Sequence, residues 1–267
     1  MQPVYLLSDR TGITIEGVAD AVLSQFPGIH FVRRRYPFID GPASLAGILD
    51  EIRASQSNGD NPLILSSLAE QELRQQLMDS GLAYIDLFQS YLQPLEQQLH
   101  CAHHQSKGLA HGIVDLQQYD EKIDAVNFTL NHDDGVRLSQ LEQSDVILIG
   151  VSRSGKTPTC LYLALHYGMR AANYPLTEDD MDTDKLPDAL LAYQQRLFGL
   201  TILPERLHQI RQARRPDSLY ASLQQCRREV IWAEQLFEKY RIPTVTASNM
   251  SIEELAVAIR QHVQNQD

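Results

Sequence analysis

Val146-Ile147-Leu148-Ile149-Gly150-Val151-Ser152-Arg153-Ser154-Gly155-Lys156-Thr157 is the stretch that decides the fold. Its first four residues are the most apolar strand-like run in the chain, the pattern of a strand covered on both faces of a parallel sheet. The next eight fit G-x-x-x-x-G-K-[ST] at every fixed position, between that strand and a helical pattern at 157–167. Such a loop curls backbone N–H groups around phosphate oxygens, and the N-terminus of the following helix adds partial positive charge. Gly150, Val151, Ser152, Arg153, Ser154, Gly155, Lys156 and Thr157 are therefore read as nucleotide-binding, with Lys156 neutralising the terminal phosphate and Thr157 holding Mg²⁺. Pro158 suits an early helical position, where its missing N–H has no intrahelical partner. Gly150-x-Ser152 also opens like the nucleophile elbow G-x-S-x-G, but the closing position is Ser154, so a serine hydrolase is rejected.

Outward from this loop the chain alternates short β-rich runs with helical patterns. Strands are expected at 4–8, 30–34, 62–66 and 82–85, with helical segments at 14–25, 44–53, 68–78 and 87–99. After a polar, His-rich connection at about 100–119, a helix at 121–130 leads to the loop strand. Further strands follow at 171–174, 197–202 and 244–246, and further helices at 204–214, 218–240 and from Ser251 onward. Ser251-x-x-Glu254 is a capping box. Parallel strands need crossover connections, so the alternation predicts an α/β protein: a parallel-sheet N-terminal α/β domain at 1–105, then a P-loop kinase-like α/β domain at 106–267. No internal repeat is visible in the sequence.

The 267 residues suffice for one or two domains, and 43% hydrophobic with 21% charged residues is an ordinary globular mixture. A net charge of −11 disfavours sequence-blind binding to nucleic acid or anionic membrane, so a phosphate site must be local. Cys101, Cys160 and Cys226 are too few and scattered for a disulfide framework. No signal-peptide pattern or membrane-length apolar run is present, and the expected location is cytoplasmic.

A phosphate loop does not by itself define a reaction, because phosphoryl transfer also needs a carboxylate near the metal or the attacking hydroxyl. Three groups of candidates stand out. Asp9 lies at the end of the first strand in Ser8-Asp9-Arg10-Thr11-Gly12, Asp133 and Asp134 precede Gly135, and Asp179, Asp180 and Asp182 fall in an acidic loop. Six arginines between Pro204 and Arg228 (Arg206, Arg211, Arg214, Arg215, Arg227 and Arg228) face only Glu205 and Asp217 in the same span, a candidate anion or docking face. Arg33, Arg34 and Arg35 form a second basic patch. His100, Cys101, His103 and His104 match no zinc spacing.

Ser8-Asp9-Arg10-Thr11-Gly12-Ile13-Thr14, His132-Asp133-Asp134-Gly135, the 150–159 loop, Ala171-Ala172-Asn173-Tyr174-Pro175 and Phe198-Gly199-Leu200-Thr201-Ile202 together resemble the bacterial phosphoenolpyruvate synthase regulatory proteins, from about residue 4 to 260. A sibling family regulates pyruvate, phosphate dikinase, and Gly155 favours the synthase-type branch. Arg10 and Cys160 depart from the commoner Gly and Ser. The resemblance implies a bifunctional serine/threonine kinase and phosphorylase. It would use ADP to phosphorylate a threonine of phosphoenolpyruvate synthase, and inorganic phosphate to remove the group as pyrophosphate. Catalytic roles then fall to Lys156 and to Asp134 or Asp9, and the metal role to Thr157 with Mg²⁺. Partners are the synthase and phosphate, with no nucleic acid or membrane, and a homodimer is allowed. A small-molecule kinase with the same loop, and a nucleotide-sensing regulator that acts by docking alone, are the competing readings.

Overall fold

The computed structural model describes residues 1–102, 116–134, 139–183 and 185–265. The chain divides into two compact units, 1–112 and 113–267. The domain boundary expected at 105/106 and the residues His103, His104 and Gly135 lie outside the described residues.

The first unit runs β1 (Gln2–Leu7), α1 (Ile13–Leu23), β2 (Phe31–Tyr36), α2 (Pro42–Ser57), β3 (Leu63–Ser66), α3 (Gln71–Asp79), β4 (Tyr84–Asp86) and α4 (Leu87–Leu99). Its four strands are all parallel, in the order β2-β1-β3-β4. Side chains alternate across a strand, so β1 feeds two cores. Tyr5 and Leu7 pack with Leu45, Leu49 and Ile52 of α2 and Leu73 and Leu77 of α3. Val4 and Leu6 pack with Ile15, Ala19 and Leu23 of α1 and with Leu87 of α4. The basic patch on β2 is fully paired: Arg33 with Asp20, Arg34 with Glu51 and Arg35 with Glu16.

The second unit runs α5 (Leu116–Asn131), β5 (Val146–Val151), α6 (Lys156–Tyr167), β6 (Ala171–Leu176), α7 (Glu178–Thr183), α8 (Asp188–Leu191), β7 (Leu197–Thr201), α9 (Pro204–Arg214), α10 (Leu223–Lys239), β8 (Thr244–Thr246) and α11 (Ile252–Gln264). Its sheet is parallel, in the order β6-β5-β7-β8. β5 is buried along its whole length because both faces are covered. Ile147, Ile149 and Val151 join Trp232, Leu236 and Phe237 of α10. Val146 and Leu148 join Cys160 and Leu163 of α6 and Leu255 and Ile259 of α11. Both units therefore carry the same strand order, a topological repetition that the sequence did not disclose.

Three local expectations need correction. Residues 178–183 form a helix, α7, and not a loop. Glu178, Asp179 and Asp180 fill its first turn, where the helix dipole favours acids, and Asp180 Oδ2 accepts from the Thr177 N–H at 2.8 Å. The helix expected from 218 starts later, at Leu223, because the Ser222 hydroxyl caps the Gln225 N–H. The connection expected to extend to residue 119 ends sooner, with α5 beginning at Leu116. Among the described residues no helix is long and apolar enough to cross a membrane.

Candidate active site

The loop after β5 takes its shape from two glycines. A Cβ on Gly150 would lie 2.3 Å from the Leu200 carbonyl oxygen on β7, so only hydrogen fits there. Gly155 sits at φ +97°, in the left-handed region, and opens α6 with no side-chain cap. The first N–H groups of α6 are consequently left for an anion. Arg153 also adopts a positive φ, +75°, a conformation that costs a non-glycine residue roughly 1–2 kcal/mol and recurs at functional sites. Within this turn Ser154 is 2% exposed, and its hydroxyl oxygen is buried without a hydrogen-bond partner.

Lys156 is 4% exposed and folds back so that Nζ donates to the Val151 carbonyl at 3.0 Å. Burial lowers its pKa to about 8, against the opposing pull of Cys160, Asp134 and Asp133. Burial pushes the Cys160 thiol far above its ordinary range, and Asp133 adds to the effect. That thiol faces the Ala172 carbonyl and is inert packing on α6.

The carboxylate missing downstream of the loop comes from upstream of it. Thr157 Oγ1 donates to Asp133 Oδ1 at 2.9 Å, and Asn173 Nδ2 donates to the same oxygen at 2.6 Å. Asn173 Nδ2 also reaches Thr157 Oγ1 at 3.0 Å and Asp134 Oδ1 at 3.3 Å. The Asn173 amide N–H donates to the His132 carbonyl, which ties β6 to the segment carrying both aspartates. The His132 ring lies against Phe128 and points its nitrogens at the carbonyls of Phe128 and Ser139, anchoring that segment further. Asn173 Oδ1 is buried with no partner.

The site thus brings Lys156, Thr157, Asp133 and Asp134 together. Asp9 belongs to the first unit, where its Oδ2 accepts from the Ala69 and Glu70 N–H groups, each at 2.9 Å. These contacts join the loops that follow β1 and β3. Cys101 is exposed, and among the described residues no group of three or more His, Cys, Asp or Glu side chains is placed to hold a metal. A cation at Thr157 would have Asp133 and the phosphates of a bound nucleotide as its oxygen ligands. That limited donor set suits Mg²⁺, which keeps waters and phosphate oxygens in its shell.

Sequence reasoning assigned no role to Asn173, although an Asn opposite Leu148 inside an otherwise apolar sheet was a signal of it. Nor did it foresee the buried support behind the loop. Arg211, 0% exposed, donates from Nη1 and Nη2 to the two carboxylate oxygens of Glu229, at 3.0 and 2.6 Å. Nη2 also donates to the Ser152 carbonyl at 3.0 Å, which fixes the loop onto α9. Gln225 bridges Glu229 to Glu178. Of the six arginines in that region, Arg227 pairs with Glu205, and Arg206 donates to Gln209.

The family model for kinase/pyrophosphorylase proteins matches residues 4–259 of this chain. A protein of Laribacter hongkongensis (strain HLHK9) named as a phosphoenolpyruvate synthase regulatory protein is 48% identical over 260 residues, covering 97% of this chain and 95% of that protein. Proteins of the same name from Xanthomonas campestris pv. campestris (strain B100) and Stenotrophomonas maltophilia (strain K279a) are 47% and 46% identical over 257 residues, 96% of this chain and 94% of each of theirs. With the match running through both units and across the loop, Asp133 and Asn173, the chain belongs to the kinase/pyrophosphorylase family.

Proposed function

We propose that this protein regulates phosphoenolpyruvate synthase by transferring the β-phosphoryl group of ADP to one of its threonines and by removing that group with inorganic phosphate. The observation that carries the reading is the hydrogen-bonded set Thr157, Asp133 and Asn173 beside a phosphate loop whose lysine is buried and poised. Family membership and the names of the relatives support the choice of target.

In this reading the 150–157 amides and Lys156 bind the diphosphate. Lys156 releases the Val151 carbonyl and turns to the transferring phosphoryl group, whose charge holds the ammonium protonated despite burial. Thr157 and Asp133 would hold Mg²⁺, which would neutralise charge on the diphosphate. Asp134 orients the threonine hydroxyl and takes its proton. We place Asp134 rather than Asp9 in this role because one Asp9 oxygen is committed to two backbone amides of its own unit. The bond from the β-phosphorus to the bridging oxygen breaks, the bond to the threonine oxygen forms, and AMP leaves. In the other direction a phosphate oxygen attacks the phosphothreonine phosphorus. The bond from that phosphorus to the threonine oxygen breaks, pyrophosphate forms, and the threonine oxygen takes a proton from Asp134, which received it from the attacking hydrogen phosphate.

The test uses ADP labelled in the β-phosphate, together with the synthase. Label on a synthase threonine with stoichiometric AMP is expected, and pyrophosphate on later addition of inorganic phosphate; Lys156→Ala should remove both. Inhibition of the synthase without covalent label, or label only on a small molecule, refutes the proposal.

A further inference from the structure

In a chain of net charge −11, arginines are expected to find carboxylates, and those at 33, 34, 35, 211 and 227 do. Ten of the described arginines form no ion pair, and three of these, Arg153, Arg214 and Arg215, share one place. They converge, from the phosphate loop and from the end of α9, on one concavity of about 470 Å³ lined by Ser152, Arg153, Arg211, Arg214, Arg215 and Tyr220. No acidic side chain lines it.

The floor of this concavity is built and rigid. Arg211 is fully buried, its two Nη atoms hold Glu229, Ser152 and the Tyr220 carbonyl, and its Nε is buried with no partner. Its guanidinium lies 4.0 Å from the centre of the Tyr220 ring, and the Tyr220 hydroxyl is 2.9 Å from Ser152 Oγ. Glu229 neutralises Arg211 from behind, so the positive charge facing the concavity comes from the other three arginines. Cations near a helix C-terminus are favoured by the dipole, which accounts for Arg214, in the last turn of α9. It does not account for Arg153, held at a costly positive φ in a separate loop and lining the same concavity. Guanidinium forks without carboxylates match the geometry and charge of a phosphate dianion.

We infer that this concavity is a second phosphate site, beside the nucleotide loop and sharing Ser152 and Arg153 with it, which takes a phosphate dianion either free or carried on a side chain. The inference rests on the proposed phosphotransfer only for the identity of its neighbour. In the pyrophosphate-forming direction two phosphoryl groups must meet beside the loop, and these arginines would hold one of them.

The test is calorimetric titration of inorganic phosphate into protein saturated with ADP and Mg²⁺, using wild type and the exposed double variant Arg214→Gln/Arg215→Gln. Saturable phosphate binding to wild type and at least tenfold weaker binding to the variant are expected, with ADP affinity within twofold. A phosphothreonine peptide that competes with inorganic phosphate assigns the site to a carried group; failure to compete, with inorganic phosphate still bound, assigns it to the free ion. Absence of saturable binding by either ligand, or unchanged binding by the variant, overturns the inference. Should ADP itself not bind, the proposed function falls. The same titration without nucleotide then decides the arginines alone, by the same loss or retention in the variant.

Discussion

Replacing Lys156 by Met should stabilise the ligand-free second unit while destroying the phosphate binding proposed for its loop. Burial lowers the Lys156 pKa from the usual 10.5 to about 8. At about 1.4 kcal/mol per tenfold change, the buried charge costs the folded state about 3 kcal/mol at pH 7. The sign follows from linkage: between about pH 8 and 10.5 the unfolded chain binds more protons than the folded one, so stability rises with pH and the penalty fades. Loss of the hydrogen bond to the Val151 carbonyl returns about 1 kcal/mol, leaving a net gain of about 2 kcal/mol near neutrality. For a unit of this size that is a melting-temperature rise of roughly 4–8 °C. Trp232, the single tryptophan, is buried on α10, so its fluorescence reports unfolding of the second unit alone. In phosphate-free buffer the Met variant should melt higher at pH 7, and most of its advantage should be gone at pH 10. A variant no more stable than wild type at pH 7, or equally advantaged at both pH values, would refute the reasoning.

Four further outcomes can be checked. Asp133→Asn should leave the fold intact and lower kcat for phosphoryl transfer by roughly 100-fold or more, since it weakens the acceptor shared by Thr157 and Asn173; steady-state kinetics with labelled ADP measures it. Asp134→Asn should cost a similar factor, whereas Asp9→Asn should stay within a few-fold in kcat and lose about 1 kcal/mol in urea unfolding; the reverse pattern would move the proton-accepting role to Asp9. Gly150→Ala, with its Cβ driven against the Leu200 carbonyl, should destabilise the second unit by about 1–3 kcal/mol or more and weaken ADP binding, both read by Trp232 melting with and without nucleotide. Arg211→Met should cost roughly 3–5 kcal/mol because Glu229 is left buried without its partner, and the double variant Arg211→Met/Glu229→Leu should recover much of that loss in the same assay.

The strands were legible because their chemistry is local. The apolar run of β5 announces a strand covered on both faces, and the alternation in β1 of Val4 and Leu6 against Tyr5 and Leu7 is divided between two real cores. The sharp turn between β5 and α6 was legible for the same reason, since the spacing of Gly150 and Gly155 acts over a few consecutive residues. The short helix α7 was not, because six residues with a single apolar side chain, Met181, show no apolar period, and its start depends on how Asp180 turns back to Thr177. The two basic clusters looked alike as sequence. In space Arg33 to Arg35 are all neutralised, Arg211 is entombed on Glu229 and Arg227 pairs with Glu205, while Arg214 and Arg215, joined by Arg153, line a concavity without an acidic side chain.

Sequence alone determined that this chain is an α/β protein built of parallel strands and that a glycine-bounded G-x-x-x-x-G-K-[ST] turn joins one of them to a helix, because hydrophobic periodicity and backbone permissiveness are written in neighbouring residues. Tertiary structure alone decided which carboxylate serves Thr157. Asp133 lies 24 residues upstream and Asn173 lies 16 downstream, and parallel pairing of β5 with β6 brings them to one hydroxyl. Parallel sheets gather functional groups at one end of strands that are remote in sequence, so the partners of a loop are set by strand order and not by distance along the chain.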